Sequence, residues 1–345
     1  MAGEAARLLT FLMQPLASWL DDPATEEICI NRPGELFVRQ RGQFRVEAGA
    51  LDYAALEDIA TLAGALRKQD VGPRSPLCAT ELPGGERLQI CMPPAVPAGT
   101  LSITIRKPGG SVATLDSLVS RYQVAGWNNW ASRKEAQRDF AALLALYDAG
   151  DIKTFLERAV QARLTILLCG ATGSGKTTMS KTLISAIPEQ ERLITIEDTL
   201  ELVIPQPNHV RLLYAKDNIG LARVTPEMLL QASLRMKPDR ILLQELRDDA
   251  AWTYINEIVS GHPGSITTIH GRNPEQAFRR LFALVKGSPQ GGRWDDKTLM
   301  EFLSAAVDLI IPFHNEGAVY EIGEVWFAAD AARRGESAAH LLRAA

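Results

Sequence analysis

Cysteine is scarce in this chain and never clustered. Cys29, Cys78, Cys91 and Cys169 stand far apart with no CxxC pair, which argues against a disulfide framework or a zinc ribbon and fits a reducing cytoplasm. Long hydrophobic runs are missing too, and no stretch approaches the roughly 18 apolar residues that span a bilayer. The nearest, RLLTFLMQPLASWL at 7–20, is interrupted by Thr10, Gln14 and Ser18. Its Leu8, Leu12, Leu16 and Trp19 fall at helical spacing, so we read a docked amphipathic helix rather than a signal peptide. No charge sign dominates: 37 Lys and Arg face 41 Asp and Glu, for a net charge of −4. That removes any global electrostatic case for nucleic-acid binding, and Arg32, Arg39, Arg41 and Arg45 read as a solvated face. No G-x-S-x-G elbow occurs, so an activated-serine hydrolase is not supported.

What is present suggests two folded units. The chain has 345 residues, 46% hydrophobic and 23% charged, enough apolar material for a core in each. Residues 25–46 alternate as short strands broken by Pro33-Gly34 and Gly42, residues 53–67 carry helical periodicity, and ERLQICMP and GTLSITIRKP read as further strands. An α+β domain over 1–110 is expected. Residues 111–150 turn polar and then helical, as an interdomain linker would. From 151 to 330 strand and helix signals alternate, with continuous apolar runs at 164–169, 193–196, 241–243 and 266–269. Such runs suit strands covered on both faces. A last strand is expected within VYEIGEVWFA, and 331–345 reads as a tail.

The strongest motif is Gly170-Ala171-Thr172-Gly173-Ser174-Gly175-Lys176-Thr177. It fits G-x-x-x-x-G-K-[ST], a pattern that chance puts in about one chain in a hundred of this length. LTILLC precedes it as a strand and TTMSKTLISAI follows with helical periodicity, the context the motif requires. Glycines let successive N–H groups turn inward around phosphates, and the helix N-terminus adds partial positive charge. In this reading the loop through Thr178 holds a nucleoside triphosphate, Lys176 meets the terminal phosphates and Thr177 ligates Mg²⁺.

Open α/β sheets bind ligands beyond the carboxyl ends of their strands. LITI is followed by Glu197 and Asp198, with Glu201 close behind; RILL leads into Gln244, Glu245 and Arg247; ITTI ends at His270. Glu245 is the carboxylate best suited to hold Mg²⁺ or polarise water. Asp198, Glu201 and Arg247 are weaker candidates. His262 and His270 are eight residues apart across Pro263-Gly264, a spacing that does not suit a metal pair. His270 is read as functional and His262 as structural or turn-stabilising.

The order of these motifs resembles that of the secretion ATPases, the hexameric motors of type II and type IV secretion and of type IV pili. The P-loop, ITIEDTLEL, LRMKPDRILLQELR and GHPGSITTIH are similar to their Walker A, Asp box, Walker B and His box. The likeness is close over about residues 150–315. LRMKPDRI and the lack of a tetracysteine module favour the traffic ATPases of type IV secretion, with a pilus or type II secretion motor, or a slow nucleotide-dependent assembly switch, as alternatives. The resemblance implies a P-loop (RecA-like) α/β NTPase domain behind a smaller α+β domain, ATP and Mg²⁺ as cofactors, and a homo-hexamer. It implies partners among the inner-membrane components of a secretion apparatus and a cytoplasmic position peripheral to that membrane. It also implies metal and water arranged by Glu197 and Glu245, His270 at the γ-phosphate, and Arg106, or less well Arg121, reaching the nucleotide across the domain interface. One departure stands out: the residue before the Walker B glutamate is usually glycine in this family, and here it is Gln244.

Overall fold

The computed structural model describes residues 2–108, 114–116, 140–216, 220–248, 250–317, 319–338 and 340–343. Arg121 and most of the expected linker lie outside them. The N-terminal part is one antiparallel sheet with helices against it. Its strands are β1 (Thr25–Ile30), β2 (Glu35–Gln40), β3 (Gln43–Ala48), β4 (Leu77–Glu81), β5 (Arg87–Cys91) and β6 (Ser102–Arg106), ordered β3-β2-β1-β6-β5-β4. The helix Tyr53–Leu66 starts at Asp52, whose carboxylate accepts from Ala55 N at 2.9 Å, and buries Leu56, Ile59 and Ala63. β4 had no sequence signal of its own, being a short LCATE segment.

The N-terminal helix corrects one expectation. It breaks into Ala2–Leu12, a 3₁₀ turn at Gln14–Leu16 and Ala17–Asp21, because Pro15 has no N–H to continue the ladder. Leu9, Met13 and Leu16 are buried, whereas Leu8 is 48% and Phe11 67% exposed. The buried stripe is therefore rotated by one residue from the one expected, with Leu12 and Trp19 packed at its edge.

The C-terminal part is built on parallel strands: β7 (Ile166–Gly170), β8 (Leu193–Glu197), β9 (His209–Leu213), β10 (Arg240–Leu243), β11 (Ile266–Ile269) and β12 (Leu309–Glu316). The ladders run β10-β8-β9 and β11-β7-β12. A parallel bridge between Glu245 and Thr268 joins them, with Leu246 N donating to Thr268 O at 2.8 Å. The order across the joined sheet is β9-β8-β10-β11-β7-β12. Two short strands, β13 (Val319–Ile322) and β14 (Trp326–Phe327), then pair antiparallel with β12. β12 was not anticipated, since Pro312 argues against an inner strand, yet its LIIPF run lies directly against β7.

Packing reaches across both expected boundaries. The helix Phe140–Asp148, placed in the linker by sequence, buries Leu143 in the cluster that holds Ile166, Leu168 and Leu309. Ala331 and Ala338, placed in the tail, are buried in the main core with Leu167 and Ile310. Arg333 adds a pair to Asp148 at 2.7 Å. The two halves of the molecule share that same main core through Cys91, Ala95 and Val96.

Candidate functional site

The P-loop bridges β7 and the helix Lys176–Ser185. Gly170, Gly173 and Gly175 all have positive φ, and at Gly170 an added Cβ would meet Phe313 O at 2.5 Å. Gly175 is the N-cap in left-handed conformation, with no side-chain cap to the helix. The first helical N–H groups are thus left for an anion. Lys176 Nζ folds back on the loop, donating to Gly170 O at 2.8 Å and Ala171 O at 2.7 Å. Partial burial lowers the ammonium pKa, while Glu245 and Cys169 work in the opposite direction. Ser174 is buried with its hydroxyl unpartnered.

Beside the loop lies a cavity of about 550 Å³ lined by Gly173–Met179, Thr182, Phe313 and Tyr320–Ile322. Asn315 Nδ2 donates to Gly173 O at 3.2 Å. The Tyr320 ring lies 3.5 Å from where a Cβ on Gly175 would stand. Asn315 was missed by sequence reasoning because β12 was missed, and Tyr320, although in the expected last strand, had no signal placing it beside the P-loop. The continuous run LIIPF was the available signal for β12.

Strand register gathers the sequence-predicted residues at one edge. In the β11–β7 ladder Ile269 pairs with Cys169, so His270 comes level with Gly170 at the start of the P-loop. On its other side His270 Nε2 lies 3.1 Å from Glu245 Oε1. That approach lacks hydrogen-bond alignment, and Oε1 is buried without a hydrogen bond. Arg247 donates to Glu245 Oε2 and lies 3.5 Å from Asp198 Oδ2. Glu245, His270, Arg247 and Asp198 therefore form one cluster, and Glu245 is close enough to Lys176 to influence its charge.

Two expected residues, Glu197 and Arg106, are not in that cluster, and neither is His262, read above as structural. Glu197 is fully buried and pairs in bidentate fashion with Arg211, at 2.9 and 2.7 Å. It also accepts from Thr195 Oγ1 at 2.7 Å and from the N–H groups of Glu201 and Leu202 at 3.0 and 2.9 Å. Successive strand residues face opposite sides, so Glu197 follows Thr195 inward while Asp198 emerges at the edge. With both oxygens engaged, Glu197 anchors the turn after β8 in this conformation. No sequence signal marked Arg211 as its partner.

Arg106 is also elsewhere, lining a cavity of about 580 Å³ with Arg67, Arg87 and Arg235, and no P-loop residue lines it. His262 sits at the opposite end of β11 from His270. Its N–H donates to Glu257 O at 3.2 Å and its Nδ1 is buried without a partner. Between the histidines, Gly264 has φ +89°, and a Cβ there would lie 2.8 Å from Arg240 Nη1. Among the described residues no group of three or more His, Cys, Asp or Glu could hold a metal without other ligands.

The profile described as Type II/IV secretion system protein matches residues 131–312. Protein VirB11 of Rhizobium radiobacter is 64% identical over 335 residues, 97% of this chain and 98% of that protein. The chain belongs to the VirB11 family of type IV secretion ATPases. The type IV secretion system protein VirB11 of Bartonella quintana is 40% identical, with 95% of both chains covered. The crystal structure of the Brucella suis VirB11 ATPase, in complex with sulphate, superposes with a TM-score of 0.87 at 40% identity, covering 95% of this chain and 97% of that one. Membership of an ATPase family accounts for the P-loop.

Proposed function

We propose that this chain is the Mg²⁺-dependent motor ATPase of a type IV secretion system. The observation that carries the reading is that His270, at the end of the strand beside the P-loop strand, and Glu245, after the next strand over, meet at the P-loop edge of the sheet. Its C-terminal part is read as a RecA-like domain because β11 lies between the P-loop strand and the Walker B strand. Residues 1–110, 111–150, 151–330 and 331–345 remain the proposed division, and the packing of 140–148 and 331–338 supports counting them with the ATPase domain.

The nest from Gly170 to Thr178 would wrap the phosphates, and Lys176 would exchange its two carbonyl partners for phosphate oxygens. The buried, unpartnered Oε1 of Glu245 fits a donor such as metal-bound water. Thr177 and Glu245 would hold Mg²⁺, which neutralises charge on the transferring phosphoryl group. Asp198 rather than Glu197 is the Asp-box carboxylate at this edge. His270, between Glu245 and the loop, would donate to the γ-phosphate and report its presence to the Walker B strand. Catalysis in this scheme is positioning and electrostatic stabilisation. A role for Arg106 at the phosphates requires a P-loop from a second protomer, which fits the proposed homo-hexamer. The proposed ring works on inner-membrane partners from the cytoplasmic face. Among the described residues no helix is long and apolar enough to cross a membrane.

Lys176→Ala should abolish ATP turnover and leave the circular dichroism spectrum and melting temperature near those of the parent. Turnover by the purified variant at the parent rate would sink the assignment of this loop.

A further inference from the structure

Gln244 immediately precedes Glu245, and its side-chain amide is engaged at both of its polar atoms. Its Oε1 accepts from Asp198 N–H at 3.2 Å, and its Nε2 donates to Glu201 Oε2 at 3.1 Å. Its backbone is held independently: its N–H donates to Ile196 O at 3.0 Å, and its carbonyl accepts from Thr268 Oγ1 at 2.9 Å. The amide side chain therefore projects from a fixed point, anchored by both flanking strands, across to the turn after β8.

We infer that Gln244 is a positioning residue that latches the Asp-box turn to the Walker B strand and so sets Asp198 beside Glu245. This rests on the proposed role of Glu245 and extends it to the neighbouring turn. Asp198 is held twice from the same strand end, its N–H by Gln244 and its carboxylate by Arg247 at 3.5 Å. Arg247 also donates to Glu245, so the two carboxylates share one cation while Gln244 fixes the backbone of the first. The far side of the turn is anchored separately, since Glu201 N–H and Leu202 N–H donate to Glu197, which is itself held by Arg211. Glycine at 244 would leave the Asp198 N–H without this partner and the turn tied at one end only.

The test is amide hydrogen exchange on the nucleotide-free, full-length protein, comparing the parent with Gln244→Met and Gln244→Glu. Methionine keeps the volume and removes both hydrogen bonds. Glutamate keeps an acceptor for Asp198 N–H. Exchange at Asp198 should rise roughly three- to tenfold in the methionine variant, as expected for a lost, partly exposed hydrogen bond. It should rise less with glutamate, which keeps the acceptor for Asp198 N–H but turns a second carboxylate oxygen toward Glu201 Oε2, and Glu201 and Leu202 should be unchanged in the methionine variant. In steady-state kinetics Gln244→Met should lower kcat several-fold with KM for ATP within about twofold, because the P-loop grips the phosphates independently of this turn. Unchanged exchange at Asp198 would overturn the latch. Raised exchange with unchanged kcat would overturn the positioning role. A parent protein that failed to turn over ATP would instead overturn the proposed activity, and the exchange data would still decide whether the latch exists.

Discussion

Among the charged side chains, the adjacent pair Glu197 and Asp198 shows how one step along a strand separates structure from chemistry. Glu197 is buried under Arg211, Thr195 and two backbone N–H groups, while Asp198 faces Arg247 at the site. Removing one partner of a buried pair leaves the other uncompensated, at a cost of about 3 kcal/mol. Glu197→Gln should therefore lower the urea midpoint of unfolding by an amount equivalent to about 3 kcal/mol. The KM for ATP of the fraction that stays folded should be close to that of the parent. A fully stable variant with no turnover would return Glu197 to the catalytic group. The P-loop was legible residue by residue, because its spacing encodes the nest itself. The assignment of Glu197 was not, because which of two adjacent acids turns inward depends on Arg211 in β9, a strand with no sequence signal.

Within β11 the elements explain the sequence GHPGSITTIH. The strand Ile266–Ile269 is buried throughout, and its two ends carry unlike histidines. His270 reaches the site, whereas His262 closes the preceding helix through Glu257. Gly264 is required at the entry, because the buried Arg240 guanidinium passes there, paired with Glu191 at 2.7 and 2.9 Å and donating to Gly264 O at 3.2 Å. Gly264→Ala combines a left-handed φ with a clash against Arg240, and should cost about 2–3 kcal/mol. Thermal denaturation should register it as a clear fall in Tm. A neutral effect would mean that the Arg240 side chain yields easily. Element type was readable here from four-residue apolar runs, but β12 was not, since Pro312 conceals an inner strand.

Across the whole molecule the two halves are joined by a buried arginine. Arg192 is fully buried. It donates to Met236 O at 2.8 Å and to Asn208 on the C-terminal side, and to Asn31 Oδ1 at 2.7 Å and Thr104 Oγ1 at 3.3 Å on the N-terminal side. Truncation would remove the donor to Met236 O and Asn31 Oδ1, while Asn208 Oδ1 would keep only Asn31 Nδ2 at 3.1 Å. Arg192→Met should destabilise the protein by about 3 kcal/mol and loosen the interface. Limited proteolysis should then release an N-terminal fragment that the parent retains, and identical cleavage patterns would count against a pinned interface. Arg106 points to a still larger scale. If its phosphate contact is made by a second protomer, specific ATPase activity should rise with protein concentration as rings assemble. Activity per protomer that is constant across the dissociation range, followed in parallel by analytical ultracentrifugation, would exclude a shared site.

The sequence by itself determined the nucleotide chemistry, because the P-loop is a local device whose glycines, lysine and helix start lie within nine consecutive residues. It also determined which strand ends carry ionisable groups, since each follows its apolar run directly. Tertiary structure decided the rest. Parallel register brought His270 level with Gly170 and within 3.1 Å of Glu245. Pairing with β9 withdrew Glu197 from the site, and the placement of β6 sent Arg106 to another cavity. These outcomes depend on which strands lie side by side, a contact between residues distant in the chain that no local pattern encodes.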